Sequence, residues 1–381
     1  MELTRDKLRF ERFVASGRDR VTVEGEATLP GSMRDAVTVL SVQGRAYIAD
    51  TQAGMGEAAV RGRIYFQVLY TQGDLTRIRT LETHCAFEHT ARMEGVEPGM
   101  RVAASAYVIE TDGTAASGRM KLRAVLEVEA EVFEEEEREL ITDAACWEMG
   151  LQTMKQKLKV LDQSVLGAGK ALVREEYDLP ERLGVGDVLF AAATAEVKEY
   201  SGGNGKIGVS GVAEIRVLHR PKENGEALVT TVHEAPFEIG IDAAIPEGAQ
   251  ISAEAEVIDV MADSTESDKG RVLRVEAEVR VTLRCSRTEE KELLQDLYST
   301  EGPVLEPVYE ELSIHIAEER AEARESVRIQ AALPADAPPI GKMLAAFAQP
   351  LLTKATPAGR RLDAEGVMDI TMIYLPADKS S

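Results

Sequence analysis

The chain has 381 residues, 44% of them hydrophobic, and carries 66 Asp plus Glu against 44 Lys plus Arg, a net charge of -22. That apolar content is enough for packed cores and excludes a disordered chain, while the negative field excludes nucleic acid and anionic membrane surfaces as partners. The opening MELTRDKLRFERF has charges every few residues, and no stretch approaches the length of a membrane span, so no secretory signal or membrane insertion is expected and the chain reads as cytoplasmic. Cys85, Cys146 and Cys285 are odd in number and widely spaced, with no metal-binding pattern around them. Cys285 continues the alternation of Val279, Val281 and Leu283 and reads as a small buried residue.

Lys7, Leu8 and Phe10 open a first unit, Lys157, Leu158 and Val160 a second, and Leu312 and Ile314 a third. Each opening leads to an alternating strand closed by Leu-Pro: Val21, Val23 and Leu29-Pro30; Val173, Tyr177 and Leu179-Pro180; Val327, Ile329 and Leu333-Pro334. Proline has no N–H to give, so the ladder stops there. A turn-rich or briefly helical segment (GSMRDAVTV, ERLGVGDVL, ADAPPIGKM) then leads to Leu40, Phe190 and Leu344 at the head of another apolar strand.

The most clearly repeated element follows: VRGRIYFQVLY from Val60, VSGVAEIRVLH from Val209 and AEGVMDITMIY from Ala364. A glycine precedes, at strand spacing, Phe66, Val68 and Tyr70; Ile215, Val217 and His219; Ile370, Met372 and Tyr374, which predicts a strand with one buried face. Polar loops come next, with Asn224-Gly225 as a hairpin signal, then a returning strand with His84 and Phe87 in the first unit and His233 and Phe237 in the second. Glycine turns at Gly99 and Gly248 precede a last alternating strand, Leu126, Val128, Ala130 and Val132 in one unit and Leu273, Val275, Ala277 and Val279 in the other.

About seven such strands per unit, without long amphipathic helices, predict an all-β protein of tandem antiparallel β-sandwich or barrel-like units with short helical or coil linkers. The expected divisions are a first unit over 1–133, an acidic linker over 134–156, a second unit over 157–286, a second acidic linker over 287–310, and an incomplete third unit over 311–381. The linkers share Glu139-Leu140 and Asp143 with Glu292-Leu293 and Asp296, so they are expected to pack on their domains rather than act as free tethers. The third unit holds only the first half of the pattern: either the chain is truncated there, or it is a half domain whose strand edges pair with something else, such as a second copy.

The leader KLRFERF, the Leu-Pro strand end, the glycine-led strand V-x-G-x-I-x-F-x-V-L-Y, the APFE of the returning strand and the DLYS at Asp296 to Ser299 together resemble the SPOCS domain, found in tandem in proteins of spore-forming Clostridia and their relatives. The resemblance implies a non-enzymatic part in spore coat or spore envelope morphogenesis, on the mother-cell side at the forespore or coat surface. Relatives of this kind combine tandem SPOCS domains with a C-terminal LysM module and bind the ATPase of the coat basement layer. This chain has no LysM-like segment.

No side chains converge as a catalytic centre in the repeats. His84 and His233 occupy matching places and read as packing residues, since no Ser, Cys or carboxylate repeats beside them. Cys85 next to His84 suggests a nucleophile pair, set against Glu234 at the corresponding place in the second unit. Asp263, Glu266 and Asp268 offer oxygens for calcium without an EF-hand pattern and read as a solvated hairpin tip. Gly202 to Gly205 lacks the Lys and Ser/Thr of a phosphate loop and reads as a turn; Glu134 to Glu137 reads as a solvated charge run or a docking face for a basic partner. No cofactor is expected. Trp147, the single tryptophan, packs on the first unit or anchors a partner, and Tyr298 in the second linker is the other candidate partner-binding residue. A carbohydrate-binding module is the alternative function, weakened by an aromatic content of only 5%.

Overall fold

The computed structural model describes residues 1–30, 37–72, 74–179, 184–203, 205–221, 228–267, 270–302, 304–311, 326–330, 332–335 and 337–377. Among them lie fourteen strands and one 3-10 turn. Unit one holds β1 (Glu2–Thr28), β2 (Val37–Ala53), β3 (Glu57–Gln72), β4 (Asp74–Arg92), β5 (Arg101–Ala116) and β6 (Arg119–Ala145). Unit two repeats them as β7 (Leu151–Tyr177), β8 (Val185–Gly203), β9 (Lys206–Pro221), β10 (Val229–Asp242), β11 (Gln250–Ser267) and β12 (Gly270–Ser299). Unit three is the hairpin β13 (Ile340–Ala358) and β14 (Arg361–Pro376). All pairings are antiparallel.

Each complete unit is a sandwich of two three-stranded sheets, β1-β6-β5 on β2-β3-β4 and β7-β12-β11 on β8-β9-β10. The repeated glycine-led strand is the centre of one sheet, and the last alternating strand is the centre of the other. Their inner faces meet: Val60, Ile64, Phe66 and Val68 of β3 share a core with Leu122, Leu126, Val128 and Val132 of β6. Val209, Ile215 and Val217 of β9 share another with Leu273, Val275, Val279 and Val281 of β12. Side chains tie the sheet edges together. The Thr111 hydroxyl donates to the Val42 carbonyl at 2.7 Å between β5 and β2, and the Tyr200 and Tyr177 hydroxyls donate to the Ile251 and Glu234 carbonyls, both at 2.9 Å. Such ties cover edges that would otherwise invite other chains.

Two β-bulges recur in all three glycine-led hairpins. Pairing slips between Val39 and Ser41 and between Ile48 and Asp50, between Val188 and Phe190 and between Val197 and Glu199, and between Met343 and Ala345 and between Leu352 and Lys354. The counterpart of Leu40 and Leu344 is therefore Leu189, one residue before the Phe190 expected from sequence. At the second bulge the glycine is required by space. A Cβ on Gly62 would lie 2.2 Å from the Tyr47 carbonyl oxygen and 2.5 Å from the Phe87 ring; on Gly211 it would lie 2.3 Å from the Glu196 oxygen and 2.4 Å from the Phe237 ring.

Most of the two acidic stretches expected as linkers is strand, and 304–310 are irregular. Residues 133–145 continue β6 against Glu2–Phe13 of β1, and 288–299 continue β12 against Leu151–Leu161 of β7, so each sandwich extends into a two-stranded ribbon. Within the run, Glu134, Glu136 and Glu137 are answered across the ladder, while Glu135 faces Glu11 and is exposed. Arg12 pairs with Glu134 and Glu136, and Lys7 and Arg9 each reach Glu137 at 2.6 Å. Exposed pairs of this kind add little stability singly, but opposite charges across the ladder favour this register over a slipped one.

Among the described residues the third unit shows no first strand: Val327 and Ile329 lie in irregular, exposed chain, and Leu312 and Ile314 fall outside the described residues. In units one and two that strand pairs with β6 or β12, and among the described residues unit three has no such partner. A lone strand leaves its backbone groups unpaired. The hairpin is held instead at a junction where equivalent residues of all three units meet. Leu69 of β3, Leu218 of β9 and Ile373 of β14 gather with Leu189, Phe190 and Leu228. Lys342 also donates to the Leu228 carbonyl at 3.2 Å.

Gly211→Ala is expected to destabilise unit two by about 1–3 kcal/mol, as an overpacked core does. Gly208→Ala, in the same strand with its nearest atom 3.6 Å away, is expected to stay within about 0.5 kcal/mol. Urea denaturation of the two variants makes the comparison, and equal midpoints would refute the steric account.

Candidate functional site

The two ribbons lie against each other. Leu8 and Phe10 of β1 and Val160 of β7 form a small buried cluster with Leu140 and Leu158. Asp6 accepts from Lys291 at 2.6 Å, and Asp143 pairs with Lys155 at 2.8 Å, both between ribbons. Those ammonium groups, helped by the Lys7 and Ala144 backbone N–H groups, hold the Asp6 and Asp143 carboxyls below the usual aspartate range. Glu137 is likewise lowered by Lys7 and Arg9.

At the far end, β6 passes into β7 through the 3-10 turn Trp147–Met149. Gly150 takes the left-handed conformation that closes the turn, φ 52°, and the outgoing end of β12 braces it: Thr300 donates its hydroxyl to the Gly150 carbonyl at 2.8 Å, and the Glu301 N–H donates to Met149 at 3.0 Å. On this braced tip Trp147 is 89% exposed. Packing onto unit one, the alternative expected for it, is not found: the apolar cluster between the ribbons lies further in, so the tip offers the ring no core. Tyr298, paired with Gln152 on the same end, is 61% exposed. Met1, Met154, Val304 and Val308 are exposed large apolar residues at or just beyond the same ribbon ends. Tyr309 is tied back by its hydroxyl to the Asp296 carboxylate at 2.6 Å, which raises the phenol pKa.

The other sequence candidates do not assemble. His84 and His233 are not equivalent: His84 pairs with Tyr65, three residues after Gly62, whereas His233 pairs with Ile215, four after Gly211. One step in register turns a side chain to the opposite face. His84 lies on the outer face against the Tyr65 ring at 5.7 Å, and His233 on the inner face against Tyr177 at 4.3 Å. By the same alternation Cys85 points inward, away from His84, and burial pushes its thiol pKa up, against nucleophilic use. Its counterpart by register is Ala235 rather than Glu234. His219 replaces the tyrosine of the other units; burial lowers its pKa against a smaller opposing pull from the Arg220 backbone. Asp268 lies outside the described residues, and Asp263 accepts from the Ser264 N–H. Among the described residues no group of three His, Cys, Asp or Glu could hold a metal ion, and no helix is long and apolar enough to cross a membrane.

Two measurements test this geometry. Tryptophan emission is expected at the wavelength of a solvated indole with free access to acrylamide, and Trp147→Ala to leave stability within about 0.5 kcal/mol; a blue-shifted, shielded indole would contradict the exposed tip. Carboxylates with depressed folded pKa values stabilise above their unfolded pKa and lose that contribution as pH falls through the folded value. The ribbons are therefore expected to hold at neutral pH and to loosen first below the ordinary carboxylate range. Hydrogen exchange of Thr4–Phe10 should rise there ahead of β3 and β9, and Asp6→Asn should raise it already at pH 7.

The SPOCS domain of the SipL family model matches residues 35–115, the stretch from just before β2 to β5. No curated protein and no solved structure matches the chain. The matched segment supplies one whole sheet of the first sandwich and an edge of the other, so the first unit is similar to a SPOCS domain over 35–115, and the same strand order, bulges and glycine return in unit two.

Proposed function

We propose that this protein is a non-enzymatic assembly factor of sporulating cells, acting on the mother-cell side at the forespore or spore coat surface, and that it captures a protein partner through the ribbon tip bearing Trp147 and Tyr298. The match to the SPOCS domain of the SipL family carries the sporulation part of this reading. The tip supports the partner part. A tryptophan held open on a turn that is braced through Met149 and Gly150 is a positioned anchor, and tryptophan and tyrosine are among the residues most often found to dominate interface energy. The exposed aromatics of the tip stand at a turn and a strand end rather than in a row along a sheet face, which favours a protein pocket over a glycan chain.

Affinity capture from sporulating and vegetative lysates, with partners identified by mass spectrometry, tests the role. A coat or basement-layer protein is expected from sporulating cells alone. Truncating Trp147 to Ala is expected to weaken its binding by about 2 kcal/mol or more, roughly thirty-fold, with the fold intact. Equal capture by wild type and the double variant Trp147→Ala/Tyr298→Ala would move the site away from the tip, and retention of peptidoglycan fragments instead of protein would overturn the protein-partner reading.

A further inference from the structure

The charge balance along the two ribbons stops short of the tip. Inward of it, acid and base answer each other rung by rung: Lys7 and Arg9 reach Glu137 at 2.6 Å, Arg5 reaches Glu139 at 3.4 Å, Lys159 reaches Glu290 at 3.3 Å and Lys157 reaches Glu292 at 3.8 Å. Beyond these rungs the cations run out. From Thr142 to Met154 and from Glu292 to Glu311 there is no lysine or arginine, while carboxylates continue at Asp143, Glu148, Asp296, Glu301, Glu306 and Glu310.

Some of these are engaged from elsewhere. Asp143 is held by Lys155 at 2.8 Å, Asp296 by the Tyr309 hydroxyl at 2.6 Å and Glu310 by Arg138 at 2.7 Å. Glu148 and Glu301 are exposed, and no cation among the described residues pairs with either. Both belong to the turn that carries Trp147. Glu148 is the next residue of the 3-10 turn, and Glu301 gives its N–H to the Met149 carbonyl at 3.0 Å with its side chain beside Gly150, where an added Cβ would stand 3.6 Å from Glu301 Cγ. The exposed indole thus shares its turn with two unanswered carboxylates.

On the reading of the tip as the partner-binding site, on which this inference rests, we propose that the partner surface it enters is an apolar pocket rimmed by lysine or arginine. The alternatives differ in what they do to the two carboxylates. An acidic rim would set like charges together with no cation on the tip to offset them, since Lys155 is already engaged with Asp143. A purely apolar rim would take water from Glu148 and Glu301 and return no hydrogen bond, a cost that grows with burial. A basic rim answers both carboxylates, and the field of a chain with a net charge of -22 draws such a partner in. The indole then supplies the tight contact, and the carboxylates supply the choice of partner.

The probe is a short peptide of leucine and lysine at amphipathic helical spacing, which sets an apolar face between lysines and holds no tryptophan, titrated against the full chain. Trp147 is the single tryptophan, so its emission reports the tip even where a cationic peptide meets other acidic faces. A saturable blue shift is expected, roughly ten-fold tighter or more than with the same peptide carrying glutamate for lysine or glutamine for leucine, and weakening as salt is raised. Glu148→Lys/Glu301→Lys should cost the leucine-lysine peptide roughly ten-fold or more and narrow its advantage over the leucine-glutamate peptide. No saturable shift, an equal response to the three peptides, or an affinity unchanged by the double charge reversal would overturn the proposal. Capture from sporulating lysate separates it from the reading beneath it. Retention lost with Trp147→Ala but intact with Glu148→Lys/Glu301→Lys would keep the tip as the binding site and overturn the basic rim. Retention intact with both variants would overturn the tip, and the rim with it.

Discussion

Everything in this structure depends on the meeting of two central strands across each sandwich, β3 on β6 and β9 on β12. Each is flanked on both sides, so its backbone groups are satisfied in the ladder, and its inner side chains can be buried without leaving a polar group dry. Burial of each such Val, Ile, Leu or Phe is worth roughly 1.5–3 kcal/mol against the entropy of ordering the chain. The edge strands contribute less to the core and more to closure, through the threonine and tyrosine hydroxyls that bridge the seams. The hairpin of unit three shows the dependence from the other side. It keeps the strand pattern and both bulges, yet without an opposing sheet among the described residues its inner face stays exposed. An isolated two-stranded hairpin is marginal in water, and here the junction with Leu69 and Leu218 holds it.

The junction explains a feature of the repeated strand that alternation alone does not. Along β3 the pattern of inward apolar and outward polar residues gives way at Val68, Leu69, Tyr70 and Thr71, all buried, and along β9 at Val217, Leu218 and His219. Inward residues belong to the sandwich core. Leu69 and Leu218 face outward and are buried by the neighbouring units. The third copy has the same triplet, Met372, Ile373 and Tyr374, and Ile373 joins the same cluster. One outward apolar residue per repeat therefore converts three copies of a strand into contacts between units.

Much of the architecture was legible in the sequence because strand alternation is a direct record of burial. The fold class, the glycine-led strands and the core residues of the last strand follow from period two alone. The acidic stretches were not legible as ribbons. Glu134 to Glu137 breaks the apolar alternation, and only the partner strand, with Lys7, Arg9 and Arg12 at facing positions, shows that charge alternates with charge across the ladder. Sequence alignment also set His84 against His233 and Leu40 against Phe190. Each error is a single residue, and in a sheet one residue exchanges the faces, so such slips hide until the pairing is seen. Leu69, Leu218 and Ile373 were a signal present in the sequence: an apolar residue at an outward position of a strand, directly after an inward apolar one, means burial on both sides.

The candidate site was less legible because exposure at a tip depends on what is missing around a residue, and a sequence records only what is present. Trp147 beside Cys146 and Met149 has the composition of a small packed cluster. Its exposure follows from the apolar contacts ending at Leu8, Phe10 and Val160, short of the tip. The ribbons therefore do two things at once. Their charged ladders keep two long strand pairs in register and soluble, and their inner cluster locks the two units side by side. The tip is left as an aromatic projection at a distance from both sandwiches. Removing the Trp147 ring therefore leaves either core undisturbed, whereas a side chain added at Gly62 or Gly211 drives into the sandwich itself.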